Sequence, residues 1–145
     1  RGGKAAKPGL STDDYDPVLI VRDRHGATTD AILPDLTAAT FAAELAPIVA
    51  KDCVLVTDGR DAYGAFAHTG GILHVPIIAV RGEHVYEGFH IQNVNAYMSR
   101  LKAWLAPFRG VASKYLQNYL GWRRMIERDG HRFTPRHALT AARGP

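Results

Sequence analysis

Three polar residues stand out by type and spacing. Asp58 closes the apolar run 53–57, and Gly59 follows it at once. Asn95 lies 37 positions further on, near the start of a long helical pattern, and Lys102 follows it by seven. Seven residues are about two helical turns, so Asn95 and Lys102 share one face of that helix. A carboxylate and an amide oxygen are hard donors suited to Mg2+ or Mn2+. A lysine further along the same face can pair with phosphate. The set fits metal-assisted attack on a phosphodiester, with metal ions stabilising the attacking and leaving oxygens. Each residue also has a plainer reading. Asp-Gly after a strand is often only a turn. Asn93 can cap the helix and leave Asn95 solvated in its first turn. Lys102 alone is an ordinary surface lysine.

The elements that must hold these residues follow from hydrophobic periodicity. Residues 17–22 and 28–33 read as strands, with a turn at 24–27 between them, which makes a hairpin. Thr37 can cap a helix whose apolar face is Phe41, Leu45, Ile48 and Val49, and Pro47 should kink or interrupt it. The run 53–57 is a buried strand ending at Asp58, and in open α/β sheets that end is where ligands collect. A short helix at 61–68 stops at Gly70-Gly71. Residues 72–80 form a strand that Pro76 confines to an edge or a bulge. After a loop at 81–89, a long amphipathic helix starts near Asn93. Its stripe is Val94, Tyr97, Met98, Leu101, Trp104, Leu105 and Phe108, and Pro107 and Gly110 end it. Ser113 can cap a last helix with Leu116, Tyr119, Leu120 and Ile126 on its apolar face. The tail 129–145 is polar, with weak helix potential at 137–142. No internal repeat or domain boundary is visible. The order predicts one mixed α/β sheet flanked by helices.

Composition excludes several classes. At 145 residues with 46% apolar and 22% charged residues, the chain has the make-up of one ordinary globular domain. No apolar run approaches the roughly 18 residues of a membrane span. A lone cysteine, Cys53, excludes an intrachain disulfide and suits a reducing compartment. A net charge of +4 is compatible with a nucleic-acid partner without requiring one. Residues 1–9 are basic and glycine-rich with no hydrophobic stretch behind them, which reads as a flexible segment and not as a secretory signal.

Val54-Leu55-Val56-Thr57-Asp58-Gly59, with Tyr63 just after, resembles the second catalytic segment of DDE-type insertion-sequence transposases. The stretch from His90 through Asn93, Asn95, Ser99 and Leu101 to Lys102 resembles their third segment, where an acidic residue is followed seven positions later by a basic one. Gly110-Val111-Ala112-Ser113-Lys114-Tyr115-Leu116 and Gly121-Trp122-Arg123-Arg124 are similar to the same branch. The likeness covers residues 18–126. It implies a ribonuclease-H-like fold, divalent metal ions (Mg2+ or Mn2+), and cutting and joining of transposon-end DNA. It also implies double-stranded DNA as partner, both transposon ends and target, and an assembly of more than one copy. The setting implied is the bacterial cytoplasm, at the nucleoid and away from any membrane. Asp58 would be the second metal ligand, Asn95 would occupy the third ligand position, and Lys102 would touch end DNA.

Two departures from the family pattern stand out. Position 95 carries asparagine, as in some members of the branch, and asparagine brings no charge and cannot serve as a base. The family's first aspartate lies on a strand upstream of residues 18–20, so the sheet is expected to lack its first strand and the site its first ligand. Asp23 is the fallback for that ligand. On this reading residues 1–16 are a flexible segment, 17–128 a partial catalytic core and 129–145 a tail. The alternative is a non-catalytic nucleic-acid-binding remnant.

The remaining polar and aromatic residues divide between two roles. His90 can contact phosphate or orient a ligand. Arg109, Lys114, Arg123 and Arg124 gather beside the last helix, either as a solvated face or as phosphate contacts. His68, His74, His84 and His90 with Cys53 suggest zinc by type, but no Cys-x-x-Cys or His-x-x-x-His spacing supports it. Trp104, Tyr115, Tyr119 and Trp122 are read as core in preference to base-stacking platforms.

Overall fold

A computed structural model describes residues 16–78, 88–132 and 134–137. Strand β1 (Val18–Arg22) pairs antiparallel with β2 (Thr28–Ile32), Val18 opposite Ile32 and Arg22 opposite Thr28. The turn between them is closed by Asp23, whose carboxylate accepts the Ala27 N–H at 2.8 Å. Asp23 therefore serves as a turn residue. Alternation along β1 sorts its side chains between two cores. Leu19 and Val21 join Leu33, Phe41, Leu45, Leu55, Phe66 and Ile72. Val18 and Ile20 join Tyr97, Leu101 and Leu120. The hairpin thus lies between two layers: α1 (Ala38–Leu45), α2 (Asp61–Gly70) and β3 (Val54–Thr57) on one face, α3 (Gln92–Leu105) and α4 (Ser113–Asp129) on the other.

β3 pairs in parallel with β4 (Leu73–Pro76), Val54 opposite Leu73 and Thr57 opposite Pro76. The architecture is mixed α/β with small sheets and flanking helices. The expected single mixed sheet is, among the described residues, two separate two-stranded ribbons. Leu19 of β1 and Leu55 of β3 share a core, but a backbone ladder needs strands about 4.8 Å apart, and side-chain packing across a wider gap supplies none.

Local expectations fare unevenly. Thr37 caps α1, its hydroxyl accepting the Thr40 N–H at 3.3 Å. α1 ends at Leu45, two residues before Pro47, so Ile48 falls outside the helix and is 46% exposed. Gly71 ends α2 in the left-handed conformation at φ +64°, where glycine carries no Cβ penalty. β4 stops at Pro76, and positions 79–80 of the expected strand lie outside the described residues. α3 begins at Gln92 with Ile91 at the capping position and no side-chain cap, so Asn93 lies inside the helix and is not a cap. α4 begins at Ser113 itself with Ala112 as the capping position, so Ser113 is not a cap. The expected flexible segment 1–15, most of the 81–89 loop and positions 138–142 of the weak helix also lie outside the described residues. No helix among the described residues is long and apolar enough to cross a membrane.

Candidate functional site

The end of β3 is built tightly. The Thr57 hydroxyl is buried, lies 2.9 Å from His74 Nε2 on β4 and accepts the Gly59 N–H at 3.2 Å. Gly59 has φ +82°, and a Cβ there would stand 2.9 Å from Ile78 Cγ1. Only glycine satisfies both the conformation and the space. Asp58 is thereby held at the surface, its Oδ1 accepting the Arg60 N–H at 3.4 Å as α2 starts. Tyr63, one turn into α2, packs edge-on to Phe41 at 4.9 Å. Burial, then the Asp58 charge, push its phenol up to about 12, so Tyr63 is neutral beside the carboxylate. Burial also pulls the His74 imidazole below its ordinary value, which suits a neutral ring bonded to Thr57.

The start of α3 is pinned from a different direction. Asn93 Oδ1 accepts Arg22 Nε–H at 3.0 Å, and its Nδ2 donates to the Asp23 carbonyl at 2.9 Å. Asn93 is therefore a clamp between α3 and the hairpin turn, not a helix cap. With Tyr97 and Leu101 buried, the Asn95 and Lys102 face turns to the surface, and both are exposed. The Asn95 side chain makes no hydrogen bond to another described residue. No hydrogen bond joins Asp58 to Asn95. Among the described residues no group of three or more His, Cys, Asp and Glu is placed to hold a metal. The donor chemistry at both positions nevertheless suits a hard cation: two accessible oxygens, one charged, with little internal competition. Any further donor lies outside this described pair.

A cluster that sequence reasoning missed ties the second layer together. Glu127 on α4 receives Arg22 at 3.3 Å, Arg123 at 2.8 Å, and Arg100. The side chains of Arg22 and Arg123 are only 9% and 10% exposed. Burial alone would raise Glu127, but Arg100, Arg123 and Arg22 hold it below the usual carboxylate range. Arg124 pairs with the fully buried Asp30 of β2, whose carboxyl burial raises despite that partner. Arg123 and Arg124 thus face internal carboxylates. Only the i,i+4 spacing of Arg123 and Glu127 signals this in the sequence; the partners on β1 and β2 are about a hundred residues away.

Lys102, Lys114, Arg109 and His90 are exposed instead. A second missed signal lies in the charge order. From residue 88 to residue 126 the chain carries no Asp or Glu, yet it carries Arg100, Lys102, Arg109, Lys114, Arg123 and Arg124. Of the zinc-type residues, His84 lies outside the described residues.

Residues 2–123 match the family model of the ISXO2-like transposase domain, and the chain belongs to that family. It is also similar to a protein described as an uncharacterized protein in transposable element ISH50 of Halobacterium salinarum, 26% identical over 122 residues. That likeness covers 83% of this chain and 41% of the relative, so the chain spans about two fifths of the length of the curated relative it matches. No solved structure matches the chain.

Proposed function

We propose that this chain belongs to a transposase catalytic core of ribonuclease-H-like fold. Its activity is Mg2+- or Mn2+-dependent cleavage of transposon-end DNA and transfer of the cut strand to target DNA. Membership of the ISXO2-like transposase domain family carries this reading. The exposed cations Lys102, Arg109 and Lys114 of the carboxylate-free stretch 88–126 support it, because a polyanionic duplex is the partner such charges attract.

Asp58 and Asn95 are the residues of this chain that would hold the metal. When bound, it supplies charge stabilisation to the attacking and leaving oxygens of the phosphodiester. The chain's own contributions are positional. The Thr57–Gly59 turn fixes where the Asp58 carboxylate stands. Asn93 and the Arg22–Glu127 group fix the helix that presents Asn95 and Lys102. Lys102, Lys114 and His90 hold backbone phosphates, while Arg123 and Arg124 pair with Glu127 and Asp30.

The test is strand cleavage of DNA carrying the element's own ends, with and without Mg2+. Metal-dependent nicking that Asp58→Ala abolishes supports the proposal. Cleavage that survives Asp58→Ala refutes the assignment of that residue. Salt-sensitive DNA binding with no cleavage under any metal favours a non-catalytic remnant.

A further inference from the structure

We propose that the aromatic cluster at the α3–α4 junction is a stacking platform for unpaired DNA bases. This rests on the transposase reading above and adds a second kind of contact to it. Trp104, Phe108, Tyr119 and Trp122 form one cluster with all ring centroids 4.9–6.3 Å apart, three of the six pairs edge-to-face or nearly so. The cluster is not sealed. Trp122 is 42% exposed and Phe108 37%, and Tyr115, one turn before Tyr119, is 50% exposed. Tyr115, Tyr119 and Trp122 are spaced i, i+4, i+7 and so line one face of α4. The buried face of the same helix is a different one, carrying Leu120 and Arg123. Trp104 anchors the cluster to the Tyr97, Leu101 and Leu120 core, and Tyr115 and Trp122 stand outside that core.

Charge identifies the occupant. The Lys114 ammonium stands 4.8 Å from the centre of the Tyr115 ring. Exposed Arg109 follows Phe108 directly. No carboxylate occurs anywhere from residue 88 to residue 126. Two copies meeting through this surface would bring like charges together, which costs affinity. A polyanion meets no such penalty. A duplex satisfies the cations but keeps its bases stacked on one another. An unpaired strand satisfies the cations and also offers π-faces to the exposed rings. A strand freed at a cut or frayed DNA end has this chemistry.

The chain's only tryptophans, Trp104 and Trp122, both lie in the cluster, Trp104 on its core side and Trp122 exposed, so intrinsic fluorescence reports on it and Trp122→Ala isolates the exposed ring's share. The probes are an oligothymidine strand, an abasic strand of equal length and a duplex. Oligothymidine should quench the fluorescence, and the abasic strand should bind without quenching. Trp122→Ala should weaken oligothymidine binding roughly fivefold to a hundredfold while leaving the abasic strand within about twofold. Tyr115→Ala, at a position that packs in neither core, should act in the same direction and covers the case in which the tryptophan variant fails to fold. Equal binding and quenching by the base-bearing and abasic strands overturns the platform and leaves the transposase reading intact. So does self-association in the absence of DNA that Trp122→Ala abolishes. Failure to bind any of the three probes at low salt overturns both.

Discussion

Replacing Glu127 with glutamine keeps the side-chain shape and removes one charge from the group that joins α3, α4 and β1. The cost follows from what is left behind. Arg22 and Arg123 are each about nine-tenths buried and lose the one carboxylate they pair with among the described residues. Breaking a buried pair in this way costs about 3–5 kcal/mol. Arg22 keeps its Asn93 hydrogen bond and its place over the Tyr97 ring, which lowers that figure. The Arg100 branch is 45% exposed and solvent-screened, so it adds less than about 1 kcal/mol. The sum is a loss of about 2–4 kcal/mol, or roughly 10 °C in Tm. Thermal and urea unfolding would measure it, with Arg100→Ala as the control that should cost under about 1 kcal/mol. The pH dependence has a definite sign. Glu127 is held below its ordinary value of 4.5, so its stabilisation is present above that pH and is lost as pH falls through the lowered value. Asp30 runs the other way: its raised pKa favours the fold at low pH and that contribution fades as pH rises through it. Glu127→Gln should therefore flatten the acid limb of the stability curve. A cost under about 1 kcal/mol with an unchanged acid limb would refute the reasoning.

Three further outcomes are expected. Lys102→Ala and Lys114→Ala should each reduce the slope of log K against log salt for duplex binding by about 1, as read by fluorescence anisotropy. Gly59→Ala should destabilise by about 1–3 kcal/mol, since it combines a positive φ with a 2.9 Å approach to Ile78, and thermal unfolding will show it. Tyr97→Phe should be neutral or stabilising by up to about 1 kcal/mol, because the buried hydroxyl has no hydrogen-bond partner among the described residues; a comparable loss in urea unfolding would reveal one.

Local signals in the chain were enough to read its elements. The alternation of Val18 to Val21, the Thr37 cap, the Gly71 stop and the stripe from Tyr97 to Trp104 are all set by neighbours within a turn or two, and each appears in the structure. What required distant partners was not legible. Asn93 looks like a helix cap in isolation, and only the arrival of Arg22, 71 residues earlier, makes it a clamp. Arg123 and Arg124 look like a solvated basic pair until Glu127 and Asp30 fold against them. The split into two ribbons depends on the spacing of β1 and β3, which no local pattern encodes. Of the candidate site, the residue types were legible, and Asp58 and Asn95 are both exposed. The reading of the aromatic residues as core holds in part: Trp104 packs against the Tyr97, Leu101 and Leu120 core, whereas Trp122 and Tyr115 stay 42% and 50% exposed.

The central claim is that Asp58 and Asn95 serve one metal site. A double-mutant cycle on metal-dependent strand joining tests it most directly. Residues that act as a unit are grossly non-additive. Asp58→Ala and Asn95→Ala should each cost roughly a thousandfold, and the double variant should be no worse than either alone. Losses that multiply, or an Asn95→Ala enzyme within about tenfold of the parent, would contradict it.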